Sequence, residues 1–261
     1  MSNKNITIIL PVHTVEGDYK EMLKNALESV EDFHNDVVVT IVCPPSVKNE
    51  IGQLSNKLEI NYTINAGSTD FCSQVNAGIK NCETEWFSIL EIDDQYRPVW
   101  LSLVNEYVKH NPDVDVFLPV VRDINTEGKF ISFTNESTWA YGFSEKQGFL
   151  DNEVLLDFQN YQTSGGLFRT NVIKENGNFK ENIKLTFLYE FLLRLTHNGV
   201  KILTLPRIGY QHVNFREDSL FWKYKNNEET KLSDDEVKFW LETAKKEFFF
   251  KNKRDVNYTT N

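Results

Sequence analysis

Four short runs rich in β-branched and aromatic residues, at 6–12, 37–42, 60–64 and 86–92, fall within the first hundred residues. Runs of this length with few polar positions fit strands buried on both faces, as in the middle of a parallel sheet. Between the first two, Tyr19, Leu23, Ala26, Leu27 and Val30 recur at helical spacing and make one apolar stripe. Residues 47–58 read as the next helix, and a third passes through Asn76, Ala77 and Ile79 after the turn-forming Asn65-Ala66-Gly67-Ser68-Thr69-Asp70. Strands that alternate with helices require crossover connections, which predicts an α/β fold with a doubly wound sheet. Neither a G-x-G-x-x-G nor a G-x-x-x-x-G-K-[ST] occurs, which counts against a dinucleotide fold or a P-loop enzyme.

The fourth run ends in Glu91, Asp93 and Asp94, three carboxylates within four positions, followed by Arg97 and Pro98. At the carboxyl end of a buried strand such groups face the crevice where open α/β sheets bind ligands. Crowded there, they repel one another unless a cation or a hydrogen-bond network relieves them. Mg²⁺ or Mn²⁺, held by carboxylates together with a ligand's phosphates, answers that need. An acidic loop that is simply solvated is the alternative.

With 28 basic against 38 acidic residues the net charge is −10, and no long basic block occurs. Nucleic acid is therefore not expected as a partner, because phosphate neutralisation needs clustered Lys and Arg. Cys43, Cys72 and Cys82 are scattered and odd in number, which fits neither a disulfide framework nor a zinc site. No signal peptide or membrane-spanning run is read in the sequence, so the expected address is the cytoplasm.

Beyond 98–110, a helix, residues 114–121 read as a strand and 122–131 as a hairpin turning near Glu127-Gly128. Residues 132–161 are irregular. A helix over 186–198 stops at Gly199, a strand over 201–205 is ended by Pro206, and 210–213 is a last extended piece. Ser233 and Glu236 have the spacing of a capping box for a helix carrying Val237, Trp240, Leu241, Ala244 and Phe248.

Taken together, these pieces resemble the inverting glycosyltransferases of family 2, which have the GT-A fold. Ile8-Ile9-Leu10-Pro11-Val12-His13 is similar to that family's opening strand. Asn76-Ala77-Gly78-Ile79, Trp86-Phe87 and Leu90-Glu91-Ile92-Asp93-Asp94 resemble its asparagine-glycine helix and D-x-D strand. Gly165-Gly166-Leu167-Phe168-Arg169, Asn176-Gly177-Asn178-Phe179-Lys180-Glu181 and Leu192-Leu193-Arg194-Leu195 follow in the family's order. The resemblance implies a GT-A-like doubly wound mixed sheet flanked by helices over 1–215, with 1–97 the nucleotide-binding half and 98–215 the acceptor half. Residues 216–261 then form a short C-terminal helical extension.

The same resemblance implies transfer of a sugar from a nucleoside-diphosphate sugar to the hydroxyl of a glycan or other acceptor, with Mn²⁺ or Mg²⁺ as cofactor. Donor contacts fall on Pro11, His13, Glu16, Asn76, Glu91 and Asp93, and metal ligands on Asp93, Asp94 and His212. Asp94 has a second reading as a helix cap, and His212 as a half-buried histidine. Three departures from the family stand out. Glu91 occupies the first D-x-D position, Cys43-Pro44-Pro45 replaces an acidic residue after the second strand, and Phe187-Leu188 replaces a Glu-Asp pair that includes the general base. The nearest carboxylate is Glu190, expected either as a relocated base or as the ion-pair partner of Arg194 one turn on. A fold that binds a sugar nucleotide or glycan without turnover is the competing expectation. A nucleotidyltransferase is disfavoured by the lack of a glycine-rich basic first loop. Phe248-Phe249-Phe250 beside Lys251, Lys253 and Arg254 can touch a membrane surface or pack on its own domain.

Overall fold

A computed structural model describes residues 4–12, 18–51, 57–68, 70–217 and 219–258. The first half runs β1 (Ile6–Pro11), α1 (Tyr19–Glu28), β2 (Val37–Cys43), α2 (Pro45–Ile51), β3 (Ile60–Ile64), α3 (Phe71–Asn81) and β4 (Trp86–Ile89). Next come β5 (Gln95–Tyr96), α4 (Trp100–His110), β6 (Val116–Ile124), β7 (Phe130–Thr134), β8 (Phe149–Leu150) and α5 (Asn152–Asp157). The chain finishes with β9 (Leu167–Arg169), α6 (Thr170–Asn176), α7 (Phe187–His197), β10 (Ile202–Val213), α8 (Leu220–Asn226) and α9 (Asp234–Glu247).

The strands form one mixed sheet in the order β3-β2-β1-β4-β9-β6-β10-β5, with β7 on β6 and β8 on β10. β1, β2, β3 and β4 are parallel, β9 runs antiparallel between β4 and β6, and β6 pairs in parallel with β10. Both faces are covered, which is why β1 carries no charged residue. Ile8 and Leu10 point into a core with Leu23 and Leu27 of α1 and Trp100 of α4. Ile9, one position out of phase, points into a second core with Val75 and Ile79 of α3 and Phe191 of α7. The fold is thus the expected α/β class, a mixed sheet flanked by helices.

Three segments differ from their sequence expectation. β4 ends at Ile89 rather than at residue 92, because the chain leaves the sheet in a turn closed by Asp94 N–H on the Glu91 carbonyl, 3.1 Å. β10 is one twelve-residue strand that passes through Pro206 instead of stopping there. Its register against β6 shifts between Leu205 and Ile208, so the proline sits exposed at an irregularity where no ladder N–H is needed. The irregular stretch 132–161 contains β8 and α5. The hairpin is where expected, with Gly128 in its turn.

At the C-terminal end, the capping box of Ser233 and Glu236 is formed, and it starts α9. Trp240, Ala244 and Phe248 complete the same core as α7, and Thr186 Oγ1 donates to the Trp240 carbonyl at 2.7 Å. Phe248 is buried there, whereas Phe249 and Phe250 stay exposed. Among the described residues no helix is long and apolar enough to cross a membrane.

Candidate active site

The acidic turn after β4 is held from two directions. Leu90 N–H keeps a last sheet bond to the Ile9 carbonyl at 3.0 Å, and Glu91 N–H donates to Tyr210 Oη of β10 at 3.1 Å. The turn then delivers the chain to β5, whose pairing with Gln211 and Tyr210 brings Asp94 beside the end of β10. Each carboxylate consequently meets a different partner. Glu91 accepts from Ser164 Oγ at 2.6 Å, and Asp93 faces Arg216 Nη1 at 3.3 Å. Asp94, fully buried, lies 3.0 Å from His212 Nδ1 and accepts the Val213 N–H at 2.9 Å.

Ser164 reaches Glu91 because the turn around Gly165 presses flat against the sheet. Gly165 N–H donates to the Ile89 carbonyl at 2.8 Å, and its own carbonyl accepts from Trp100 Nε1 at 2.7 Å. Its φ of 78° lies in the left-handed region, and a Cβ there would collide with the Tyr210 ring. Only glycine fits.

Burial disfavours charge at all three acids. It raises the Glu91 carboxyl, with Asp94 adding to the effect, and it raises Asp93 and Asp94 against the pull of Arg216 and His212. On His212 burial works against the proton, but Asp94, Glu91 and Asp93 outweigh it and lift the imidazole to about 10. One ligand atom from each of Glu91, Asp94 and His212 lies within 4.8 Å of the others. Two carboxylates and an imidazole, crowded and short of counter-charge, make a donor set that fits a divalent cation with mixed oxygen and nitrogen preference. To hold such a cation the His212 imidazole would have to give up the proton on the nitrogen that faces it.

The turn opens on a cavity of roughly 240 Å³. Pro11, Asp70, Glu91, Asp93, His212 and Arg216 line it together with an apolar group of Phe71, Phe187, Leu188, Leu220 and Phe221. Of the residues expected at the site, Pro11, Glu91, Asp93 and His212 come together on this cavity, and Asp94 stands directly behind them. His13 and Glu16 lie outside the described residues.

Asn76 is elsewhere. Its side chain clamps the backbone of Phe179, donating to the carbonyl at 2.8 Å and accepting the N–H at 3.0 Å, and it lines a separate shallow depression. Glu190 also lies off the cavity. Arg194 holds it through Nε at 2.8 Å and Nη2 at 3.1 Å, and Lys180 Nζ stands 3.0 Å away, all three side chains being essentially inaccessible. The face of α7 opposite its leucine stripe does not open on a crevice. It is covered by residues 176–180, whose carbonyls of Asn176, Gly177 and Asn178 take the remaining Arg194 donors. The ion-pair reading of Glu190 is therefore realised, in buried form.

Sequence reasoning missed Arg216, Lys223, Ser164 and Tyr210. Arg216 and Tyr210 lie within four residues of His212, the only sequence-level signal that could have drawn attention to them.

Comparison with known proteins now bears on this geometry. The profile described as Glycosyl transferase family 2 matches residues 7–176. No curated protein sequence matches significantly. Among solved structures, S. aureus TarS 1-349 in complex with UDP-GlcNAc is similar at TM-score 0.62 and 16% identity, over 87% of this chain and 63% of that one. S. aureus TarS 1-349 in complex with UDP is similar at TM-score 0.56 and 17% identity, over 82% of this chain and 62% of that one. This chain thus spans less than two thirds of either TarS fragment, and the likeness concerns the fold.

Proposed function

This chain belongs to glycosyl transferase family 2, and from that premise we propose that it transfers a sugar from a nucleoside-diphosphate sugar to the hydroxyl of a glycan or other acceptor. The observation that carries the reading is the acidic turn with His212 and Arg216 on the wall of a cavity at the carboxyl end of β4. The UDP-GlcNAc complex of a protein with the same fold supports a nucleotide-sugar donor for this chain. Arg216 and Lys223 on the cavity wall supply fixed positive charge for a diphosphate, the guanidinium with the planar geometry that pairs with two phosphate oxygens.

Glu91, Asp94 and His212 would hold Mn²⁺ or Mg²⁺, with Asp93 beside them. When bound, such an ion neutralises the charge that develops on a departing diphosphate. Inversion would follow from an acceptor hydroxyl attacking the anomeric carbon from the face opposite the breaking bond to the diphosphate oxygen. Glu190 is not placed to take the acceptor's proton, since its oxygens are committed to Arg194 and Lys180 away from the cavity.

One observation favours a second reading, binding without turnover. Phe187 and Leu188 line the cavity where the family carries its Glu-Asp pair, so a general base is not found at those two positions, and Asp70, which caps α3 beside Phe71, is the described carboxylate on that side of the lining. Incubation with a panel of nucleotide sugars and Mn²⁺ separates the two. Release of nucleoside diphosphate supports the transferase, and saturable binding with no release supports the binding module. Failure of every nucleoside diphosphate to bind would remove the transferase and leave only glycan binding without turnover.

A further inference from the structure

The cavity that holds the acidic turn also carries an apolar wall, which a diphosphate and its sugar do not use. The Phe187 ring lies 5.7 Å from that of Phe71 and is stacked on that of Phe221 at 5.9 Å with planes 19° apart. Leu188 continues this wall. Ser219 caps α8 by accepting from Trp222 N–H, which fixes where the helix begins and sets Leu220 and Phe221 at the cavity. Both remain substantially exposed, 38% and 44%, on a helix none of whose residues is buried. Apolar side chains left partly exposed at a pocket can take further apolar area from a ligand.

A second feature is independent of that wall. Gln74, one turn along α3 from Phe71, also lines the cavity and is completely buried. Its Nε2 donates to the Val12 carbonyl at 3.3 Å, while its Oε1 has no hydrogen-bond partner among the described residues. A buried acceptor without a partner costs stability unless a ligand or water supplies a donor.

We propose that this apolar wall receives an acceptor that carries an aromatic or acyl group close to its hydroxyl functions. The apolar group lies against Leu188, Leu220 and Phe221, and Gln74 Oε1 takes a hydrogen bond from the ligand. This rests on the transferase reading and names its acceptor class.

Calorimetry with p-nitrophenyl and methyl glycosides of the same sugar, with UDP and Mn²⁺ present and then omitted, tests it. The aryl glycoside is expected to bind about tenfold or more tightly, the effect of burying most of one ring face. Phe221→Ser and Leu220→Ser, at exposed positions, should collapse the aryl-to-methyl ratio toward one with the melting temperature held. Equal affinities in the wild type, or an unchanged ratio in both variants, overturn the proposal. So does sedimentation showing a wild-type dimer that Phe221→Ser dissociates, because the exposed face would then belong to a second copy. If UDP with Mn²⁺ fails to bind while the aryl preference persists, the donor reading falls and the apolar subsite stands.

Discussion

Burial and Glu91 raise the Asp93 carboxyl, and Arg216 at 3.3 Å and His212 pull against them. Because Asp93 lines the cavity and, among the described residues, accepts no backbone hydrogen bond from another element, its carboxyl group serves a ligand more than the fold. Asp93→Asn should therefore weaken Mn²⁺-dependent binding of a nucleoside diphosphate by about tenfold or more, with little change in melting temperature. Titration calorimetry with and without Mn²⁺ checks this, and equal metal-dependent binding would take Asp93 out of the site. Glu190 is the opposite case. With Arg194 and Lys180 around it and no solvent access, removing its charge leaves buried Arg194 with carbonyl acceptors but without its carboxylate, and Lys180 with only the more distant Glu247 carboxylate. Glu190→Gln should cost about 3–5 kcal/mol of stability, read by urea unfolding. A variant as stable as the parent would show that the pair contributes nothing to the fold. Donor binding by the folded fraction should persist, because no Glu190 oxygen reaches the cavity.

At the level of elements, the site depends on how the turn containing Gly165 seats against β4 and β10. Its left-handed backbone and its contact with Tyr210 leave no room for a Cβ. Gly165→Ala should destabilise by about 2 kcal/mol or more. It should also loosen nucleotide binding, because Tyr210 Oη accepts the Glu91 N–H and Ser164 next door donates to the Glu91 carboxylate. Thermal melts and calorimetry on the same preparation would show the two losses together, and lost stability with intact binding would uncouple the turn from the site. The start of α9 makes a simpler test. Ser233 accepts the Glu236 N–H while the Glu236 carboxylate accepts the Ser233 N–H. Ser233→Ala should cost about 1 kcal/mol in chemical denaturation and leave ligand affinity unchanged.

Across the whole molecule, residues after 215 join the core that carries the site. α9 buries Trp240 and Ala244 against α7, and Lys180 Nζ donates to the Glu247 carbonyl at 2.6 Å. α8 contributes part of the cavity wall. A chain ending at residue 215 should accordingly lose cooperative unfolding and nucleotide binding together, by calorimetry and near-ultraviolet dichroism. A truncated chain that melts sharply and binds normally would make 216–261 a dispensable extension. The sequence by itself determined the alternating strands and helices, the hairpin, the capping box and the acidic turn. Each of these is written within about a dozen residues, as hydrophobic period, turn chemistry or cap spacing. Only the tertiary structure decided what those pieces meet. Asp94 and His212 are 118 residues apart, and Asn76 and Phe179 are 103 apart. Asn76 looks the same on a helix whether it faces a nucleotide or the backbone of a distant loop. Glu190 was legible as the neighbour of Arg194 but not as buried, because a helix pattern fixes only which residues share a face. What covers that face is set by residues 176–180 folding over it, and with them the carboxylate is kept from the cavity.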